Sequence, residues 1–139
     1  MQLRCIETGA IYDARETRTA SDTGGLLEVD LEPGPLTREM FDARLGALDH
    51  PLRSGVWRFR ELMPTIPDDA IISRPEGNTN LYHDARLDDV AGTEIWFKHE
   101  GENPTGSFKD RGMTVGISHA VWTGARMVAC ASTGNTSAS

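Results

Sequence analysis

Asn103-Pro104-Thr105-Gly106-Ser107-Phe108-Lys109-Asp110-Arg111-Gly112-Met113 begins with the residues of a tight turn and ends with those of a helix start. Asn-Pro and Gly punctuate the chain, and Ser107 followed three residues later by Asp110 fits a helix N-terminus. Beyond it, Met113, Ile117, Ala120 and Val121 recur at helical spacing as the expected buried face, until Gly124 supplies a C-terminal stop. Lys109 therefore falls in the first turn of this helix. The chain contains only two lysines, Lys98 and Lys109, both between Phe97 and Gly112, against twelve arginines. Arginine does not lose its proton at accessible pH, so lysine is retained where a reactive amine is needed. The partial positive charge of exposed N–H groups in a first turn disfavours an ammonium there. An amine so placed suits Schiff-base formation with an aldehyde. For one lysine on a helix, an ordinary exposed side chain is the competing reading.

The flanking segments decide between the two. Arg126-Met127-Val128-Ala129-Cys130-Ala131 is a short apolar run expected to form a buried strand, and it empties into Ser132-Thr133-Gly134-Asn135-Thr136-Ser137. Hydroxyls around a glycine at a strand end suit the gripping of a carboxylate or phosphate. Upstream, Thr93 to Lys98, with Ile95, Trp96 and Phe97 at its centre, reads as another strand. Strand, turn, helix, strand and polar loop make the order of a βαβ unit, and the fold class expected is α/β.

The string from Asn103 to Met113, with Ala129-Cys130-Ala131-Ser132-Thr133-Gly134-Asn135-Thr136, closely resembles the threonine synthases. These are fold type II (tryptophan synthase β-like) enzymes that use pyridoxal 5′-phosphate. The resemblance implies that Lys109 is the Schiff-base lysine, that Phe108 packs beside the cofactor, and that Asn135 hydrogen-bonds the oxygen on its ring. It also implies that Ser132, Thr133, Gly134 and Thr136 hold the substrate carboxylate. Glu76-Gly77-Asn78-Thr79, with Leu81, is similar to an upstream substrate-site segment of the family and adds Thr79 to the substrate contacts. Asn80 departs from the family there, standing where a proline is usual. The implied reaction converts O-phospho-L-homoserine and water to L-threonine and phosphate, with Lys109 as the base.

The resemblance extends to the N-terminus. Several members begin with a small zinc-ribbon-like hairpin carrying two Cys-x-x-Cys pairs. Cys5, Tyr12 and Thr23-Gly24-Gly25-Leu26-Leu27-Glu28-Val29 follow that frame. At the ligand positions only Cys5 is a thiol, while Thr8, Ala20 and Thr23 occupy the others. A closed structural zinc site takes four N or S ligands, so this hairpin is expected to be degenerate and metal-free. The expected organisation is a ribbon-like hairpin over residues 1–32, a helical linker over 33–74, and the start of the cofactor-binding α/β domain over 75–139.

Fold type II enzymes need roughly twice this length of 139 residues or more. The cofactor's phosphate loop and the partner of its ring nitrogen have no counterpart here, and Gly24-Gly25 reads as a turn. The chain is thus expected to be an N-terminal portion, inactive alone. A separately encoded C-terminal half and a homodimeric full-length form are the partners implied. A formal charge of −7 with scattered arginines argues against nucleic acid. No apolar run reaches membrane-spanning length and no signal-peptide order is present, so no membrane partner is expected and the compartment inferred is the cytoplasm. Two cysteines do not make a disulfide framework.

Pro33-Gly34-Pro35 is a break, after which Leu36 and Phe41 bracket Thr37 as a hydrophobic staple and start a short helix ending near Gly46. Trp57, Phe59, Leu62 and Met63 read as packing residues before they read as a binding patch. Rival readings are another fold type II enzyme, such as a cysteate synthase or a serine/threonine dehydratase, and an inactive remnant that only binds a partner. The Gly-Gly-Leu-Leu-Glu-Val frame and the full string through Met113 favour threonine synthase.

Overall fold

Leu3 pairs with Tyr12 on one side and with Val29 on the other, and this double pairing builds the N-terminal unit. A computed structural model describes residues 1–139. Its first sheet has the order β2-β1-β3, with β1 at Gln2–Cys5, β2 at Ile11–Asp13 and β3 at Leu27–Asp30, antiparallel throughout. The expected hairpin is therefore a three-stranded sheet. Cys5 N–H donates to Ala10 O at 2.9 Å and Gly9 N–H to Cys5 O at 2.8 Å, which closes the β1–β2 turn. Arg4 meets Asp30 at 2.6 Å across the ladder, an opposite-charge cross-strand pair.

Helix α1 spans Arg38–Asp42, with Thr37 at its N-cap accepting from Met40 N–H at 3.4 Å; it starts where expected and gives way to turns before Gly46. The core follows it. Val56, Trp57, Ile66, Ala70 and Ile71 are buried together, with Met63, Val115 and Trp122 packed against them. Trp57 is 1% exposed, and its indole N–H donates to Thr114 Oγ1 at 2.8 Å. Phe59 instead packs on Phe41, with ring centroids 5.0 Å apart.

A second, two-stranded sheet pairs β4 (Leu81–His83) with β5 (Trp96–Lys98), antiparallel, with Tyr82 opposite Phe97. Helix α2 (Ala85–Ala91) connects them. Asp84 caps its start, accepting from Arg86 N–H at 3.1 Å, and Gly92 ends it at φ 69°, an N-cap acid and a left-handed C-terminal glycine. Helix α3 spans Lys109–Trp122 and ends before Gly124 at φ 80°. A short helix α4 spans Asn135–Ala138.

Three expectations are corrected. Residues 126–131 form no strand; they lie without a ladder partner, and a strand exists only when its N–H and C=O groups find a neighbouring chain. Cys130 is exposed rather than buried, and Met127 is 87% exposed. The βαβ pairing is accordingly not made within these residues, because β5 pairs antiparallel with β4. The third correction concerns the face of α3. Its buried side chains are Asp110, Thr114 and Ser118, four residues apart, while Met113, Ile117 and Ala120 are half-buried and Val121 is exposed. The polar stripe turns inward because the segment ahead of β4 supplies backbone groups to it. Thr114 Oγ1 donates to Ile72 O at 2.6 Å and Ile72 N–H donates to Ser118 Oγ at 2.8 Å, so the buried hydroxyls are satisfied. At the other end of α3, His119 Nε2 lies 2.8 Å from Ala14 O, joining the helix to the N-terminal sheet.

Candidate active site

Lys109 is the first residue of α3, and the side chains around its backbone fix that start. Ser107 Oγ accepts from Lys109 N–H at 3.2 Å, but the N-cap position itself falls on Phe108, which has no capping side chain, so the expected serine cap is shifted one residue ahead of the helix. Asp110 does not cap its own turn. Its buried carboxylate reaches back to accept from Thr105 N–H at 2.8 Å and from Thr105 Oγ1 at 2.5 Å. Burial pushes the Asp110 carboxyl's pKa upward, but hydrogen bonds from Ser139 and Thr105 outweigh this and leave it below the usual value. The Lys109 Nζ lies 4.8 Å from the Phe108 ring centroid and takes part in no ion pair.

Arg111 pairs with a carboxylate, and the partner is Glu100. The guanidinium grips both oxygens, Nε to Oε2 at 2.7 Å and NH2 to Oε1 at 2.7 Å, a bidentate geometry that fixes orientation as well as distance. The Arg111 contact is the largest cause holding the Glu100 pKa down at about 2. Asn103 is buried against this pair. Its Nδ2 donates to Glu100 Oε2 at 3.0 Å and its Oδ1 accepts from Gly77 N–H at 2.9 Å.

The upstream segment is held just as firmly. Glu76 is 2% exposed. Its carboxylate accepts from Ser54 Oγ at 2.5 Å, Ser73 Oγ at 3.1 Å and Arg74 N–H at 2.8 Å. Gly77, at φ 82°, lies directly against Gly55; a Cβ on Gly55 would stand 2.0 Å from Asn78 N and 2.4 Å from Gly77 C. Thr79, expected at the substrate, is buried, and its hydroxyl is already engaged: it donates to Glu100 Oε1 at 2.9 Å and accepts from Arg111 NH2 at 3.2 Å. Lys98 Nζ donates to Thr79 O. Asn80, standing where proline is usual, uses the N–H that proline lacks, donating to Glu102 Oε2 at 2.7 Å. The departure from the family is thus tied into the turn by an extra hydrogen bond.

Beyond the Ser132–Thr136 loop, Ser139 reaches the start of α3. Ser139 Oγ lies 3.3 Å from Thr105 Oγ1 and donates to Asn135 O at 2.9 Å. Ser132 Oγ accepts from Gly134 N–H at 3.2 Å, and Thr133 is exposed while Thr136 is half-buried. Space is open where a Cβ on Gly134 would stand. The Asn135 side chain is exposed and has no protein partner.

Sequence reasoning missed Glu100, Asn103, Ser54 and Glu102. The loop that brings Glu100 to Arg111 leaves no periodic trace. The buried role of Glu76 was likewise invisible, because a carboxylate in a loop normally signals solvent.

Residues 72–139 match the model of a family described as pyridoxal-phosphate dependent enzyme. The matched stretch is just under half of the chain. The similarity to individual proteins extends further upstream. A threonine synthase of Methanocaldococcus jannaschii is 43% identical over 100% of this chain and 34% of its own length. A threonine synthase of Methanosarcina acetivorans is 43% identical over 98% of this chain and 32% of its own length. Threonine synthase 2, chloroplastic, of Arabidopsis thaliana is 39% identical over 91% of this chain and 28% of its own length. The chain spans about a third of the length of the curated relatives it matches. No helix is long and apolar enough to cross a membrane.

The residues present fit the cofactor named by the matching family model, pyridoxal phosphate. Lys109 offers an amine with no competing carboxylate, Phe108 lies beside it, and Asn135 offers a free carboxamide. These are the groups that an aldehyde and an aromatic ring oxygen require.

Proposed function

We propose that the protein carrying this segment is a threonine synthase that converts O-phospho-L-homoserine and water to L-threonine and phosphate. The observation that carries the reading is Lys109, an exposed and unpaired amine at the first position of α3, within a sequence similar along its whole length to threonine synthases. Pyridoxal phosphate, when bound, supplies an electron sink for negative charge at the substrate carbons. Lys109 would hold the cofactor through its Nζ, Phe108 would pack beside it and Asn135 would hydrogen-bond the ring oxygen. Ser132, Thr133, Gly134 and Thr136 bind the substrate carboxylate through hydroxyls and backbone N–H groups. The Lys109 amine would take and return protons at the α and β carbons. The reaction loses phosphate at the γ carbon and gains water at the β carbon.

The same reading makes residues 1–32 a metal-free ribbon, 33–74 a linker and 75–139 the start of the cofactor domain, in a cytoplasmic enzyme. In the ribbon, the hydroxyls of Ser21 and Thr8 beside the Cys5 thiol lower its pKa to about 7. They supply around Cys5 the polar contacts that ligands would supply around zinc.

Borohydride reduction of the holoenzyme followed by peptide mapping tests the lysine assignment, and phosphate release from O-phosphohomoserine tests the reaction. A pyridoxyl label on Lys109 that survives Lys98→Ala and vanishes in Lys109→Ala is expected. A label on Lys98, or elimination products in place of threonine, would overturn the reading.

A further inference from the structure

Lys109 is flanked by two residues that both reach backwards along the chain. Asp110 ties the helix start to Thr105, and Arg111 ties it to Glu100. Successive helical residues are turned by about 100°, so these anchors leave α3 in two directions and Lys109 in a third. The Arg111 anchor continues beyond the loop, since Glu100 accepts from Thr79 Oγ1 and Asn103, and Asn103 accepts from Gly77 N–H. Gly77 is in turn seated on Gly55. One contiguous set of contacts thus joins the Gly77–Thr79 segment, the Glu100–Asn103 turn and the first turn of α3.

We infer that Glu100, Arg111 and Thr79 form a positioning unit that aims the Lys109 amine, and that Thr79 serves in this unit rather than as a direct substrate contact. The inference rests on the cofactor role of Lys109 proposed above. Its physical basis is the fork geometry of the Arg111–Glu100 pair. A bidentate pair fixes rotation of the helix start as well as its distance from the loop, and Thr79 Oγ1 bridges both partners. A small misplacement of a reacting group is costly in rate even when binding survives.

The test uses Glu100→Gln, the near-isosteric Thr79→Val, and the double variant in the holoenzyme. Three readouts are taken: cofactor content, visible-band circular dichroism per bound pyridoxal phosphate, and kcat and KM separately. Each single variant should retain stoichiometric cofactor on Lys109, lose induced ellipticity, and lower kcat by about 10- to 100-fold with little change in KM. The double variant should be no worse than the more damaging single, because both residues act through one unit. Unchanged ellipticity in Glu100→Gln would overturn the inference. So would Thr79→Val raising KM alone with effects that add to those of Glu100→Gln, the pattern of an independent substrate contact. Should Glu100→Gln fail to fold, Thr79→Val decides by its ellipticity and its split between kcat and KM. A wild-type enzyme without a label on Lys109 would instead overturn the functional reading beneath this one, a result distinct from a labelled Lys109 with unaltered ellipticity.

Discussion

Between Gln2 and Asp30 the chain is held by backbone ladders on both sides of β1, whereas the Glu76–Thr79 segment, the Glu100–Asn103 turn and the first turn of α3 are joined chiefly by side chains: Glu76 on Ser54 and Ser73, Asn103 on Gly77, Arg111 on Glu100. A ladder is indifferent to which side chains it carries, as long as they suit a strand. That is consistent with an N-terminal sheet that keeps its frame although three of the implied ligand positions hold Thr8, Ala20 and Thr23. The loop region has no such freedom, because each contact there needs a particular functional group at a particular reach.

Substitutions should separate the two regions. The largest loss of stability is expected from Trp57→Ala, which empties the core beneath α3 and leaves Thr114 without its indole donor; about 3–5 kcal/mol should be lost in denaturant melts. Next, Glu76→Ala strips the acceptor from Ser54, Ser73 and Arg74 N–H, and a loss of about 1–3 kcal/mol is expected. A loss near zero would mean that the side chains around Glu76 do not hold the loop.

Acid should find the same region. The folded Glu100 carboxyl has its pKa lowered from 4.5 to about 2, so its contribution is fully present above the unfolded value and is lost as pH falls through the window between them. Wild type should therefore lose more stability than Glu100→Gln on going from pH 4.5 to pH 2, measured by thermal melts at matched ionic strength. Parallel curves would remove the ion pair from the list of what holds the loop.

The smallest effect belongs to the sheet. Thr23→Ala, at an exposed position, should change stability by no more than about 0.5 kcal/mol, and metal analysis of the purified protein should find no stoichiometric zinc. One tightly held zinc per chain would break the comparison, since the sheet would then depend on side chains after all.

The chain's local signals were legible wherever a residue acts on its own neighbours. Thr37 and Gly124 mark helix ends in the sequence and do so in the structure. What failed to read through was long-range. The apolar run from Met127 to Ala131 has strand composition, yet pairing depends on a neighbour that composition does not name. Hydropathy pointed to Met113 and Ile117 as the inner face of α3, but unsatisfied backbone at Ile72 draws Thr114 and Ser118 inward instead. At the site, Lys109 stood out by scarcity, while Glu100 and Asn103 are ordinary polar letters whose importance comes only from the loop that folds them onto Arg111.

The contact of Gly55 with Gly77 and Asn78 sets a limit on how this sequence can change. The atoms that would collide with a new side chain at either glycine are mainly backbone atoms of the other segment, so no change of a neighbouring side chain can make room. The two positions are locked to one amino acid each, and they cannot relieve one another. In a library randomised at every position, Gly55 and Gly77 should return as single-letter columns, surrounded by positions such as Asn80 where a different solution is already in use.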